Sequence, residues 1–333
     1  MSDAALVVIV AIALAFDFTN GFHDTANAVA TSVSTRALSP RIAVLIAAIM
    51  NFVGAFSSTK VAKTVGGGLI NTSPGFVTAH VLFAALAGAI VWNLITWRLG
   101  LPSSSTHALI GGLLGAALAR GGQNPVDWSN LWHKTILPGI ASPFIGFLLA
   151  GLVMVVILWV FVRVRPAPLN RGFRILQIAS GSFLAFAHGT NDAQKTMGVI
   201  ALALYAAGHS SSPANIPDWV IASAAASMAL GTYIGGWRIM RTMGTRIFKL
   251  RPPQGFAAQA TASSVLYTVA TKYGFPVSTT HVISGSVMGA GATTKFSAVR
   301  WGVAADIVVA WLLTIPAAAI VAAALYGLLS LVF

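Results

Sequence analysis

Two aspartates constrain this chain more than any other feature. Asp24 and Asp192 each stand inside a mostly apolar segment long enough to cross a bilayer, residues 4–38 and 175–207. An unpaired charge at that depth costs roughly 3 kcal/mol even on lenient insertion scales. Glycine precedes each aspartate by three positions, in Gly21-Phe22-His23-Asp24-Thr25-Ala26-Asn27 and in Gly189-Thr190-Asn191-Asp192-Ala193-Gln194-Lys195. As a straight helix the first segment would reach about 50 Å, against a hydrocarbon core of about 30 Å. The expectation is therefore that both segments break at the midplane, at Gly21–Asn27 and at His188–Lys195. A polar break at membrane depth, present twice, is how secondary transporters build a solute site.

Composition removes the alternative of a soluble fold. Of 333 residues 56% are hydrophobic and only 8% charged, whereas a soluble domain carries about a quarter of its residues charged. The net charge of +13 could suggest nucleic acid. Yet the basic residues stand singly or in short clusters between apolar spans, where positive-inside topology accounts for them. There is no cysteine, hence no disulfide and no thiolate chemistry. The N-terminus lacks the basic stretch of a signal peptide and reads as a retained first span.

A second motif follows each aspartate. Leu101-Pro102-Ser103-Ser104-Ser105-Thr106-His107 and Phe275-Pro276-Val277-Ser278-Thr279-Thr280-His281 both put a hydroxyl cluster between proline and a small-residue helix, as at a capped helix N-terminus. Residues 101–116 and 275–290 share seven identities in sixteen positions, at an offset of 174, and the aspartate motifs recur at an offset of 168. Shared order and spacing mark an internal duplication. The predicted fold is an all-α polytopic membrane protein of two inverted-topology repeats, residues 1–165 and 171–333. Each repeat makes about five crossings, with broken or re-entrant helices at the midplane. With the basic loops 163–174 and 238–251 in the cytoplasm, an odd number of crossings per half inverts the second half. Both termini are then expected outside the cytoplasm.

Chemistry narrows the role. Two like charges repel an anion, so Asp24 and Asp192 suit a cation or a proton. The hydroxyl clusters supply the complement: Ser104, Ser105, Thr106, Ser278, Thr279 and Thr280, beside free helix N-terminal amides, make an anion cradle without formal charge. Asp192 and Lys195 are i,i+3 neighbours that can pair, and Asp24 and Asn27 hold the matching positions. His107 and His281 have no ligand-spaced partner and read as packed, hydrogen-bonded residues. Asp17 and Asp306 fit a structural hydrogen bond or a cavity wall as well as a transport role.

The aspartate motifs, Asn20 to Thr31 and His188 to Lys195, resemble the paired signatures of the inorganic phosphate transporter family, in its bacterial low-affinity permease branch. Both hydroxyl motifs follow in family order. The resemblance implies a homodimeric, multi-pass cell-membrane symporter rather than an enzyme, moving phosphate with a cation, without nucleic acid or a resident cofactor or metal. It implies substrate contacts by Asp24, Thr25, Asn27, Asp192, Gln194, Lys195 and the six hydroxyl residues, with His23, Asp24, Asn191 and Asp192 in coupling. Sodium-coupled members carry Asn where this chain has His23. The His form resembles proton-coupled permeases, which take phosphate as a neutral complex with a divalent metal. The linker between halves, Arg163–Arg174, is shorter than the hydrophilic loop of many relatives. A sulfate permease and a sodium-coupled phosphate symporter are the nearest alternatives. A membrane-embedded phosphotransferase is a more distant one, because its groups would stand near one interface and would not be duplicated.

Overall fold

Alanine-rich apolar sequence with few internal breakers makes helix nearly everywhere, and the caps and glycines decide where each helix stops. In the computed structural model, which describes residues 1–73, 75–122 and 124–332, the chain forms thirteen α-helices, some extended by short π or 3-10 turns. Pro74, at the end of the expected polar loop 57–74, and Phe333, at the end of the second repeat, lie outside the described residues. So do the side chains of Trp237 and Arg246, expected in a span end and a basic loop.

Helix α1, Asp3–Ser34, starts where the Ser2 hydroxyl accepts from Ala5 N. Next come α2 (Pro40–Ala55), α3 (Lys60–Gly67), α4 (Ala79–Leu99) and α5 (Ser105–Arg120). A short α6 (Trp128–Leu131) runs through a π turn into α7 (Leu137–Val160). The second half has α8 (Pro166–Ala206), α9 (Asp218–Ile234), α10 (Trp237–Arg241), α11 (Pro252–Thr268), α12 (Thr279–Thr294) and α13 (Trp301–Val332).

The aspartate helices do not break. Helix α1 continues for 32 residues and α8 for 41, through both motifs. Gly21 and Gly189 serve close packing instead. A Cβ on Gly21 would come within 2.9 Å of Thr232 N on α9, and one on Gly189 within 2.6 Å of Asn51 Cα on α2. The polar side chains of the motifs find partners on neighbouring helices, so the α1 and α8 backbones have no need to open.

The breaks lie elsewhere. α2 and α3 meet at 72°, and α9 meets the helical stretch 238–244 at 62°. α4 turns into α5 at Gly100 (φ +67°), and α11, after a π turn, turns into α12 at Gly274 (φ +68°). Left-handed backbone at these two points is the reason for glycine there. Both helix pairs are re-entrant. Arg120, ending α5, donates to the Gly75 carbonyl just before α4 at 2.7 Å. Gln254, beginning α11, donates to Thr294 at the end of α12, also at 2.7 Å.

The fold is thus two inverted repeats, each with crossing segments and one hairpin whose tip lies inside the molecule. Their helices interlock: α1 packs on α9, α2 on α8, α5 on α13 and α7 on α12. One face carries the termini, with Asp3 bonded to His209 at 2.9 Å. The opposite, basic face carries Arg36, Arg165, Arg251 and Arg300 on its turns, with Arg171 near the start of α8. Apolar side chains such as Leu148, Trp159, Leu312 and Leu331 stand exposed on α7 and α13, the pattern of a lipid-facing surface.

Candidate functional site

The two hairpin tips meet between α1 and α8. Thr280, in the first turn of α12, donates to the Ser103 carbonyl just before α5 at 3.0 Å. Ser104 and Ser278 are the N-caps, accepting from His107 N at 3.2 Å and His281 N at 3.3 Å. Both helices therefore point their amide ends at the same region, which favours negative charge there.

Asp24 and Asp192 face this junction and are buried. Each is held by the residue before it. His23 Nδ1 lies 2.8 Å from Asp24 Oδ1, and Asn191 Nδ2 donates to Asp192 Oδ1 at 2.6 Å. The second carboxylate oxygens are treated differently. Asp24 Oδ2 accepts from Ser105 at 2.6 Å. Asp192 Oδ2 lies 2.9 Å from Lys195 Nζ and 3.3 Å from His188 Nε2. An ionised carboxylate buried among apolar helices is tolerable only when paired and hydrogen-bonded. Asp192 has the Lys195 cation. Asp24 has a hydrogen bond from Ser105 and one with the His23 ring, the latter an ion pair only when that ring is protonated.

The residues three positions later cross between repeats. Asn27 on α1 donates to Thr280 on α12 at 2.8 Å, with Thr279 at 3.4 Å. Lys195 on α8 donates to Thr106 on α5 at 2.7 Å. On its far side His23 extends the site: Nε2 is 3.1 Å from Thr96 Oγ1 and 3.3 Å from Ser103 Oγ. When protonated the ring can donate at both nitrogens, linking Asp24 to α4. The Asn191 amide instead reaches the Val277 carbonyl at 2.8 Å. The two half-sites thus carry different side chains, imidazole and amide, at this position.

Among the residues expected at the site, the structure brings together His23, Asp24, Asn27, Ser105, Thr106, Asn191, Asp192, Lys195, Thr279 and Thr280. Four are engaged elsewhere. Thr25 donates to the Gly21 and Thr232 carbonyls. Gln194 accepts from Val61 N and Ala62 N at the start of α3, and its amide bonds the Thr190 carbonyl. Ser104 and Ser278 are caps, and of the six expected hydroxyls those following the caps reach the aspartates and their partners.

Four residues outside that expectation take part. His188 was legible, because it opens the quoted motif one helical turn before Asp192. Its other nitrogen lies 3.1 Å from Asn51 Oδ1, and Asn51 donates to Thr232 at 2.9 Å. Asn51 and Thr96 are polar residues in otherwise mostly apolar spans, with no motif to mark them. Ser103 sits in the hydroxyl run and reaches His23. Asp24, His188 and Asp192 each offer a ligand atom within 4.8 Å of the others, a spacing that fits one cation. The His107 and His281 rings pack edge to face at 4.7 Å, and His281 stacks on Trp311 at 4.0 Å.

Duplicated acids facing paired helix N-termini across two inverted repeats suit anion transport, and the comparisons agree. A profile of the phosphate transporter family matches residues 20–172 and 163–322. The chain belongs to the phosphate transporter family. It is 51% identical to a protein of Rhizobium meliloti named "Probable low-affinity inorganic phosphate transporter", over 96% of this chain and 95% of that one. A Bacillus subtilis protein of the same name is 45% identical, over 98% of each. A solved structure, "The sodium-dependent phosphate transporter", superposes with a TM-score of 0.89 over 99% of this chain and 100% of that one. At 24% identity that likeness speaks for the fold. This phosphate transporter is therefore a membrane carrier and not an enzyme, as its sequence suggested.

Proposed function

We propose that this transporter imports inorganic phosphate together with protons, with a neutral divalent metal–phosphate complex as the transported form. The observation that carries the reading is the convergence of the α5 and α12 N-termini and Lys195 on two carboxylates inside one buried cluster. The amides and Lys195 suit the phosphate oxygens. The carboxylates can accept a hydrogen bond from a phosphate hydroxyl, which sulfate lacks at neutral pH. A divalent ion travelling with phosphate would meet Asp24, His188 and Asp192, whose oxygen and nitrogen donors fit such an ion. Proton coupling rests on His23, since histidine is the side chain that changes charge near neutral pH. In this reading the basic face is cytoplasmic, both termini are outside, and the transporter acts as a homodimer in the cell membrane.

The test is labelled phosphate uptake into proteoliposomes. Accumulation driven by a pH gradient without sodium, and little affected by excess sulfate, is expected. A strict sodium requirement would assign the sodium-coupled alternative, and strong sulfate competition the sulfate permease. Uptake that follows labelled divalent metal one for one supports the complex as substrate; metal left outside overturns it.

A further inference from the structure

Asp17 lies on α1 seven residues before Asp24, about 10 Å nearer the terminal face. It is fully buried. Its situation differs from that of the two site aspartates. Neither carboxylate oxygen has a hydrogen bond of ordinary length, and no cationic side chain stands in ion-pair range among the described residues. Its neighbours are Asn20 and Thr196, near enough to lower the cost of its charge through long, weak hydrogen bonds, while their own buried amide and hydroxyl make no hydrogen bond of ordinary length. Asn93, one turn before Thr96 on α4, is also buried with both amide atoms unpartnered. The charges whose fields reach Asp17 are Lys195 and Asp192 on α8, and these two are already paired with each other. Helices α2, α4 and α9, which pack on α1, carry ionisable side chains only near their ends.

A structural role accounts poorly for this arrangement. By the offset of the repeats, Ala185 takes the place of Asp17 and His188 that of Asn20. Ala185 is buried too, so the fold fills this position without an acid. An unpaired carboxylate among apolar helices is costly. Its presence in one repeat, beside an amide oxygen and hydroxyl without hydrogen bonds of ordinary length, calls for a positive charge brought from outside. Carboxylate, amide and hydroxyl oxygens are donors that suit hard cations.

We propose that Asp17, Asn20 and Thr196 form a second cation site on the terminal-face side of the Asp24–Asp192 cluster. It is loaded with one coupling cation per transport cycle, either a proton on the carboxylate or a monovalent metal ion among the three groups. The proposal rests on the reading of the chain as a cation-coupled phosphate carrier. It adds a coupling charge that neither repeat motif contains.

The test separates exchange from coupling. Wild type, Asp17→Asn and Asp17→Ala are reconstituted, the last because Ala185 shows the position tolerates alanine. Phosphate–phosphate exchange without any ion gradient is expected to stay within about twofold of wild type in both variants. Under an imposed tenfold cation gradient, the limiting phosphate accumulation is expected to fall about tenfold, the worth of one cation fewer. Loss confined to the pH-gradient arm identifies a proton, and loss confined to the sodium arm a metal ion. Unchanged accumulation in both arms, or exchange lost in parallel with accumulation in both inserted variants, overturns the cation site. A wild type inert to phosphate in every arm defeats the phosphate reading and this site with it, whereas failure of the variants alone leaves the phosphate reading standing.

Discussion

The site is closed toward its two faces by equivalent parts of the same helices, with opposite chemistry. Toward the basic face the closure is polar. Thr35 donates to Gln177 at 2.7 Å, Ser180 donates to Gln259 at 2.9 Å, and the Gln259 amide donates to Thr31 at 2.6 Å and Ser32 at 2.7 Å. Applying the repeat offsets gives the matching positions toward the terminal face. Val199, Ile200 and Ala203 stand for Thr31, Ser32 and Thr35; Ile9 and Ile12 for Gln177 and Ser180; Ala85 for Gln259. All of these are apolar and belong to one packed cluster or its margin. Inverted repeats would give two equal gates if the sequences were equal. Here one gate can open by exchanging protein hydrogen bonds for water at little net cost. The other must separate apolar surfaces, at about 25 cal/mol per Å² exposed. Loaded with substrate, this protein should open more readily toward the basic face.

Both gates close on the same carboxylates, and the largest expected effect lies there. Asp24→Asn and Asp192→Asn should each reduce gradient-driven phosphate uptake to background while the protein still inserts, as uptake and membrane fractionation together would show. For Asp192 the change also strands Lys195, a buried cation left without its partner, so a loss of thermal stability should accompany it. Next in size is Ile200→Gln, which puts an unpartnered amide into the apolar closure. It should cost about 1–3 kcal/mol of that closed state. Because the chain has no native cysteine, a single cysteine near Asn20 reports the change: thiol labelling from the terminal face should rise.

Gln259→Leu makes the reciprocal alteration and a smaller effect is expected. It deprives Thr31, Ser32 and Ser180 of their partner but restores some packing. Labelling from the basic face should rise severalfold, on the order of 1 kcal/mol, with terminal-face labelling unchanged. Equal responses of the two faces to these two variants would mean the gates are energetically alike. The smallest effect is reserved for His23→Asn, which makes the half-sites alike. Phosphate KM should shift by no more than about twofold, while the dependence of uptake on external pH flattens. An unaltered pH profile would reduce His23 to a hydrogen-bond donor.

Much of this was readable in the sequence, and the omissions have a common cause. The duplication, its inversion and the pairing of acids with hydroxyl caps follow from residues that recur, such as Asp24 with Asp192 and Thr106 with Thr280. Asp192–Lys195 pairing follows from helical spacing alone. The position of the breaks did not follow, because glycine in Gly21 and Gly189 signals either a bend or a close contact. Only the approach of α9 and α2 shows that contact is the reason. Gln194 looked like a ligand because it lies within the motif, yet it faces α3, a direction the one-dimensional pattern does not contain. Asn51, Thr96 and Gln259 belong to no repeated motif and have partners on other helices, which tertiary structure alone reveals. Asp17 was visible as an acid in an apolar span, but its lack of a cationic partner or a hydrogen bond of ordinary length was not.

The exchange of partners between halves bears on how the protein is made. Gly54 is shaped to the Phe186 carbonyl, Gly111 and Gly115 to Ile315 and Ala319, and Gly146 to Val282. The reverse notches exist too, Gly231 receiving Phe18, Gly285 receiving Pro143 and Gly289 receiving Phe147, so each half holds grooves that only the other fills. Until α8 to α13 emerge from the ribosome, the nascent first half must wait in the bilayer with lipid or insertase in its grooves. Thr106 and Asn27 wait with it, for Lys195 and Thr280. A truncated chain ending near residue 165 should therefore be cleared by membrane quality control, and rescued when the second half is supplied as a separate polypeptide.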